Sequence, residues 1–200
     1  GSSLVGSEMC IRDSGEPGEK NFSQDKISKP SKINTKQYQK ITKESDLNKL
    51  IIDLNKKSII SVDTETSSLD PQVAELIGIS LSYAENISFY IPVGHKNIKG
   101  LNKDFVVKKL KPILEDPSIK KVGQNIKYDF IILKKYGVEL NSVEDTMLLS
   151  YTLDAGNNRH NMDTLSELHL NHKTISYKDL VGSGKKQLKF SEVDIDKATE

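Results

Sequence analysis

Cysteine is nearly absent from this 200-residue chain, and Cys10 is the single one. One cysteine excludes a disulfide framework and a cysteine-based zinc site within one chain, and a reducing cytoplasm is the expected setting. Tryptophan is missing altogether. No apolar run approaches the length that spans a bilayer; Phe130-Ile131-Ile132-Leu133 is typical of the longest. The N-terminus carries no signal-peptide pattern. An excess of either charge is also lacking, since 29 basic residues oppose 28 acidic ones for a net charge of +1. That excludes a broad electrostatic coat for nucleic acid, while leaving room for an enzyme that grips a few nucleotides locally. Arginine is scarce too: only Arg12 and Arg159 occur, so Arg159 is the one bidentate phosphate fork outside the N-terminal stretch.

Residues 1–43 show no sustained apolar periodicity and are rich in Gly, Ser, Lys, Pro and Asn, which reads as linker or disorder. Within them, residues 1–14 resemble a translated sequencing adapter and are set aside from fold reasoning. From Ser45 the pattern changes. Leu47, Leu50, Ile51 and Leu54 fall at helical spacing. Ile59 to Val62 suits a buried strand, and Leu76–Tyr83 and Ile87–Val93 read as two more, joined by a hairpin-length link at Ala84-Glu85-Asn86. Helical pattern at Asp104–Leu114, a short strand at Ile119–Val122 and a helix over Asn125–Tyr136 follow, with Gly137 a natural helix stop. Further helices are expected at Asp145–Leu153 and Asp163–Leu170. The spacing predicts an α/β domain over residues 44–200, with a mixed sheet flanked by helices. Near the end, Ser191-x-x-Asp194 reads as a weak capping box opening a helix that has run about two turns at Glu200. Truncation is one reading of that end and a frayed natural terminus the other.

The chemistry-bearing residues are carboxylates. Asp63 and Glu65 flank Thr64 at the end of the first expected strand, and alternation sends both to one face. Two such carboxylates repel unless a cation lies between them, and oxygen ligands favour a hard ion such as magnesium. Asp129 lies mid-helix among Ile126, Phe130, Ile131, Ile132 and Leu133, so it is expected to be buried and in need of a partner. That partner is either a metal or a lysine such as Lys127 or Lys134. Asn125 is expected one turn earlier on the same helix face.

The motif series resembles one known family. Asp63-Thr64-Glu65-Thr66-x-x-Leu69-Asp70 is similar to the first exonuclease motif of bacterial DNA polymerase I. Val122-Gly123-Gln124-Asn125-Ile126-Lys127-Tyr128-Asp129 is similar to its second. Tyr90-Ile91-Pro92-Val93, Leu110-Lys111-Pro112, Asp145-Thr146-Met147-Leu148, Arg159-His160-x-Met162-Asp163-x-Leu165 and Gln187-Leu188-x-Phe190 continue the likeness from about Lys43 to Glu200. The resemblance implies a ribonuclease-H-like fold and 3′–5′ hydrolysis of single-stranded or frayed DNA ends. It implies two magnesium ions, replaceable by manganese, held by Asp63, Glu65 and Asp129 in a two-metal scheme. It also implies a groove lined by Thr66, Leu69, Gln124, Asn125, Tyr128, Arg159 and Phe190, and a polymerase domain C-terminal to this one. For Leu69, Tyr128 and Phe190, core packing is the alternative to stacking on bases. The family's third motif, a tyrosine followed four residues later by an aspartate, begins just after the equivalent of Ala198-Thr199-Glu200, so the resemblance implies a domain cut before it. Two other readings remain at this point: an RNA-trimming enzyme like ribonuclease D, and a non-catalytic spacer beside a polymerase.

Two further signals carry little. Gly182-Ser183-Gly184-Lys185-Lys186 lacks the spacing and the preceding strand of a phosphate loop. His95, His160, His169 and His172 form no zinc pattern.

Overall fold

The computed structural model describes residues 33–184 and 187–200. The sheet follows from the β-branched runs. β2 (Ile59–Thr66), β3 (Leu76–Ala84) and β4 (Ile87–Pro92) form an antiparallel meander, with Asn86 turning the hairpin at φ 60°. β1 (Tyr38–Lys40) joins β4 in parallel, while β5 (Lys120–Gly123) joins β2 and β6 (Val143–Asp145) joins β5, both in parallel. The six described strands run in the order β1-β4-β3-β2-β5-β6.

α1 (Glu44–Leu54), α2 (Lys103–Glu115) and α3 (Lys127–Lys135) bury their apolar stripes in one continuous core. Leu47, Leu50 and Leu54 of α1, Val106 and Leu110 of α2, and Ile132 and Leu133 of α3 meet Ile60, Val62, Ile79 and Leu81 of the sheet there. A smaller apolar cluster gathers Ile77 and Tyr90 with Val181 of α6 (Tyr177–Val181) and with Phe190 and Val193. α4 (Thr146–Asp154) and α5 (Met162–Leu170) complete the middle of the chain, and α7 (Ile195–Thr199) lies against β1 and β4.

Several expectations shift. The expected linker reaches too far: β1 and the buried Ile41 belong to the fold. A three-residue strand of Tyr, Gln and Lys is too short and polar to show periodicity. The rest of that expectation, and the adapter-like stretch, fall outside the described residues. β2 runs through Thr66 and so carries the whole Asp63-Thr64-Glu65 triplet. The helix expected from Asn125 begins at Lys127, because Asn125 takes a left-handed conformation at φ 55°, which asparagine tolerates better than most residues. The final helix is capped by Asp194, whose carboxylate accepts from the amides of Asp196 and Lys197. Ser191 instead sits in a 3₁₀ turn, Phe190–Glu192.

Candidate active site

Where β5 ends, Gly123 lets the chain pass close to β2; a Cβ there would lie 2.9 Å from the Val62 carbonyl. The turn that follows is pinned by Asp145, whose Oδ1 accepts from the amide of Asn125 at 3.0 Å while capping α4. α3 then starts, and Asp129 is delivered in its first turn, 2% exposed, against β2. Burial alternates along β2: Ile60, Val62 and Thr64 are buried, while Ser61, Asp63 and Glu65 between them are less so, which places the two acids on one side.

Asp129 has no lysine partner among the described residues. Its Oδ1 accepts from the Thr64 amide at 2.8 Å and the Thr64 hydroxyl at 2.6 Å. Lys134 pairs with Glu139 instead. The three acids share one groove of about 780 Å³ with Thr66, Leu69, Gln124, Asn125, Tyr128 and Tyr177. Burial, then the charges of Asp129 and Glu65, push the Asp63 carboxyl up to about 8. Burial, then Asp129, push Glu65 up to about 7. Asp129 is raised to about 6, chiefly by burial, with the Thr64 bonds opposing. Near neutral pH these acids disfavour one another's ionisation, and a cation between them would relieve that cost. Among the described residues no three His, Cys, Asp or Glu side chains stand gathered as a finished metal shell. The donor set, three carboxylates in one groove, nonetheless suits a hard divalent ion.

The groove lining divides the other expected residues. Leu69 is 96% exposed at the rim, which removes the core-packing reading. Tyr128 is half-buried and spends its hydroxyl on Thr66 Oγ1, 2.6 Å away, and on the Ser68 carbonyl, so it braces the loop that carries Leu69. Gln124 is braced at both ends: its Nε2 donates to the His160 carbonyl at 2.7 Å and its Oε1 accepts from Thr146 at 2.6 Å. Asn125 lines the groove and is exposed. Two expected lining residues stand elsewhere. Phe190 is 3% exposed in the smaller apolar cluster, and Arg159 is exposed outside the groove lining. A residue that sequence reasoning passed over takes Phe190's place: Tyr177, 57% exposed, lines the groove and stacks on Phe190 with ring centroids 6.4 Å apart and planes at 11°.

A mixed sheet flanked by helices, with acids from a strand end and a helix in one cleft, defines a ribonuclease-H-like nuclease fold. The solved structures agree. The chain resembles the EXO domain of Aedes aegypti Nibbler with a TM-score of 0.60 at 14% identity, covering 82% of this chain and 84% of that one. It resembles Trypanosoma brucei RNase D with a TM-score of 0.57 at 18% identity, covering 72% and 51%. It resembles Brucella melitensis NrnC with bound Mg2+ with a TM-score of 0.54 at 19% identity, covering 75% and 69%. Residues 38–193 match the family model described as 3′-5′ exonuclease, and the chain belongs to that family. It is similar to DNA polymerase I of Rhizobium leguminosarum, 44% identical over 173 residues, and to DNA polymerase I of Pseudomonas aeruginosa, 41% identical over 151 residues. The alignments cover 76% and 72% of this chain but 17% and 16% of those relatives, so the chain spans about a sixth of their length. No helix among the described residues is long and apolar enough to cross a membrane.

Proposed function

We propose that this chain is the proofreading module of a longer cytoplasmic DNA polymerase, removing nucleotides one at a time from single-stranded or frayed DNA 3′ ends. The observation that carries the reading is the convergence of Asp63, Glu65 and Asp129 on one groove whose rim holds an exposed leucine. Asp63, Glu65 and Asp129 would hold two magnesium ions, with manganese able to replace them. Bound there, such ions supply a water nucleophile at neutral pH and charge stabilisation for the leaving oxygen.

The chain's own side chains do the positioning. Leu69 stands where it can wedge against the terminal base, and Tyr177 offers an aromatic face that accepts any base without reading sequence. Tyr128 and Thr66 hold the Leu69 loop, and Asn125 presents an amide to the strand. Such a groove favours frayed ends, because an unpaired base costs less to splay apart.

The test follows the length of 5′-labelled single-stranded DNA under the full-length protein. Stepwise shortening from the 3′ end that stops with a chelator supports the reading. Shortening undiminished by the chelator overturns it. RNA degraded in preference to DNA under the same conditions would point to a trimming enzyme instead.

A further inference from the structure

We propose that Thr64 is a positioning residue that fixes the carboxylate of Asp129 for cation binding. The proposal rests on the reading of Asp129 as a metal ligand. Pairing of β2 with β5 covers only Ile59 to Ser61. Thr64 lies beyond it, where a neighbouring strand no longer answers its amide. On the other side β2 continues antiparallel to β3, with Thr64 opposite Ile79. A buried strand amide without an acceptor is costly. Asp129 takes the vacant ladder place, accepting that amide at 2.8 Å. The Thr64 hydroxyl adds a second bond at 2.6 Å to the same oxygen, Oδ1.

Both groups are buried, Thr64 at 7% and Asp129 at 2% exposed. Two donors on one oxygen fix the carboxylate against rotation about its last bond, and Oδ2 receives neither of them. Thr64 alternates with Asp63 and Glu65 along the strand, and its hydroxyl is committed to Oδ1 of Asp129. Supporting hydrogen bonds of this kind set ligand orientation, and their loss typically costs about 10–100-fold in metal affinity or activity.

The decisive substitution is Thr64→Val, which keeps the shape and the amide and deletes only the hydroxyl. The free Mn2+ signal in electron paramagnetic resonance reads the affinity of the full chain for manganese directly, without needing activity. Thr64→Val should weaken binding by about tenfold, and Thr64→Ser, which keeps the hydroxyl, should stay within about twofold. In the full-length protein, Thr64→Val should lower kcat at fixed metal while leaving KM for DNA unchanged. Unchanged affinity in Thr64→Val overturns the proposal, as does equal loss in Thr64→Ser, which would assign the effect to the methyl group's packing. If Thr64→Val does not fold by circular dichroism, Thr64→Cys, similar in size with a weak donor, is read the same way. Asp129→Asn separates the two layers. If it binds manganese as the native chain does, the ligand assignment itself fails; if it loses affinity while Thr64→Val does not, only the role of Thr64 fails.

Discussion

The groove's floor and the helices α4 and α5 are built differently. The floor, made by β2 and α3, stands on the main core, where Ile132 and Leu133 beside Asp129 are wholly buried. The two helices bury almost nothing and do not line the groove. α4 contains no buried residue and α5 only Ser166, while Leu148, Leu149, Tyr151, Leu153, Met162, Leu168 and Leu170 are exposed. A second cleft of about 550 Å³ runs between that apolar face and β2 and β5, and Asp63 borders both clefts. The acids sit on the floor, where close packing holds their geometry. Tyr177, on α6, stands against the smaller apolar cluster, stacked on Phe190.

The sharpest break in this comparison comes from Asp129→Asn, which keeps an acceptor for Thr64 and removes the charge. Exonuclease activity of the full-length protein should fall at least about a hundredfold, beyond the loss expected for a supporting group, while melting temperature holds or rises. Activity lost together with the fold would make Asp129 a structural residue.

Stability should divide along the same line. Leu133→Ala, in the core beside Asp129, should cost about 2–5 kcal/mol in denaturant unfolding of this chain. Leu153→Ala, at 85% exposure on α4, should change it by less than about 0.5 kcal/mol. Comparable losses at the two positions would mean that α4 is covered in solution.

A smaller effect tests the proposed role of Tyr177 in grip. Tyr177→Ala should raise KM for single-stranded DNA in the full-length protein by about tenfold with little change in kcat, in keeping with about 1–3 kcal/mol per stacked base. Tyr177→Phe should behave as the native protein. A kcat loss with KM unchanged would move Tyr177 from holding the strand to aligning the reacting groups.

Legibility in the sequence followed the same division. The floor could be read because its signals are local: β-branched runs, the alternation that pairs Asp63 with Glu65, and an acid among aliphatics at Asp129. What chain order hides are partners distant in sequence. Thr64 and Asp129 meet 65 residues apart, and the amide that Asp129 satisfies is orphaned only because β5 stops short. Tyr177 stands where Phe190 was expected for a similar reason. Both are aromatic and near the chain end, and only the packing of Val181 and Val193 around Phe190 shows which is interior. Asn125 left its expected helix through a backbone conformation that residue spacing does not report.

The acids also give the most direct effect. Each carboxyl at Asp63, Glu65 and Asp129 is raised in the folded state. Between the ordinary carboxylate range and about pH 8 the folded chain therefore binds more protons than the unfolded one, and stability falls as pH rises through that window. A cation in the groove should cancel that loss where the acids are ionised. The measurement is the unfolding free energy of this chain at about pH 5 and about pH 8, with and without magnesium, beside the triple variant Asp63→Asn, Glu65→Gln, Asp129→Asn. The native chain should be less stable at the higher pH without magnesium and recover with it, and the triple variant should show neither the loss nor the recovery. A native chain whose stability is indifferent to magnesium at the higher pH, or a triple variant that responds to it equally, would contradict the assignment of this groove as a cation-dependent nuclease centre.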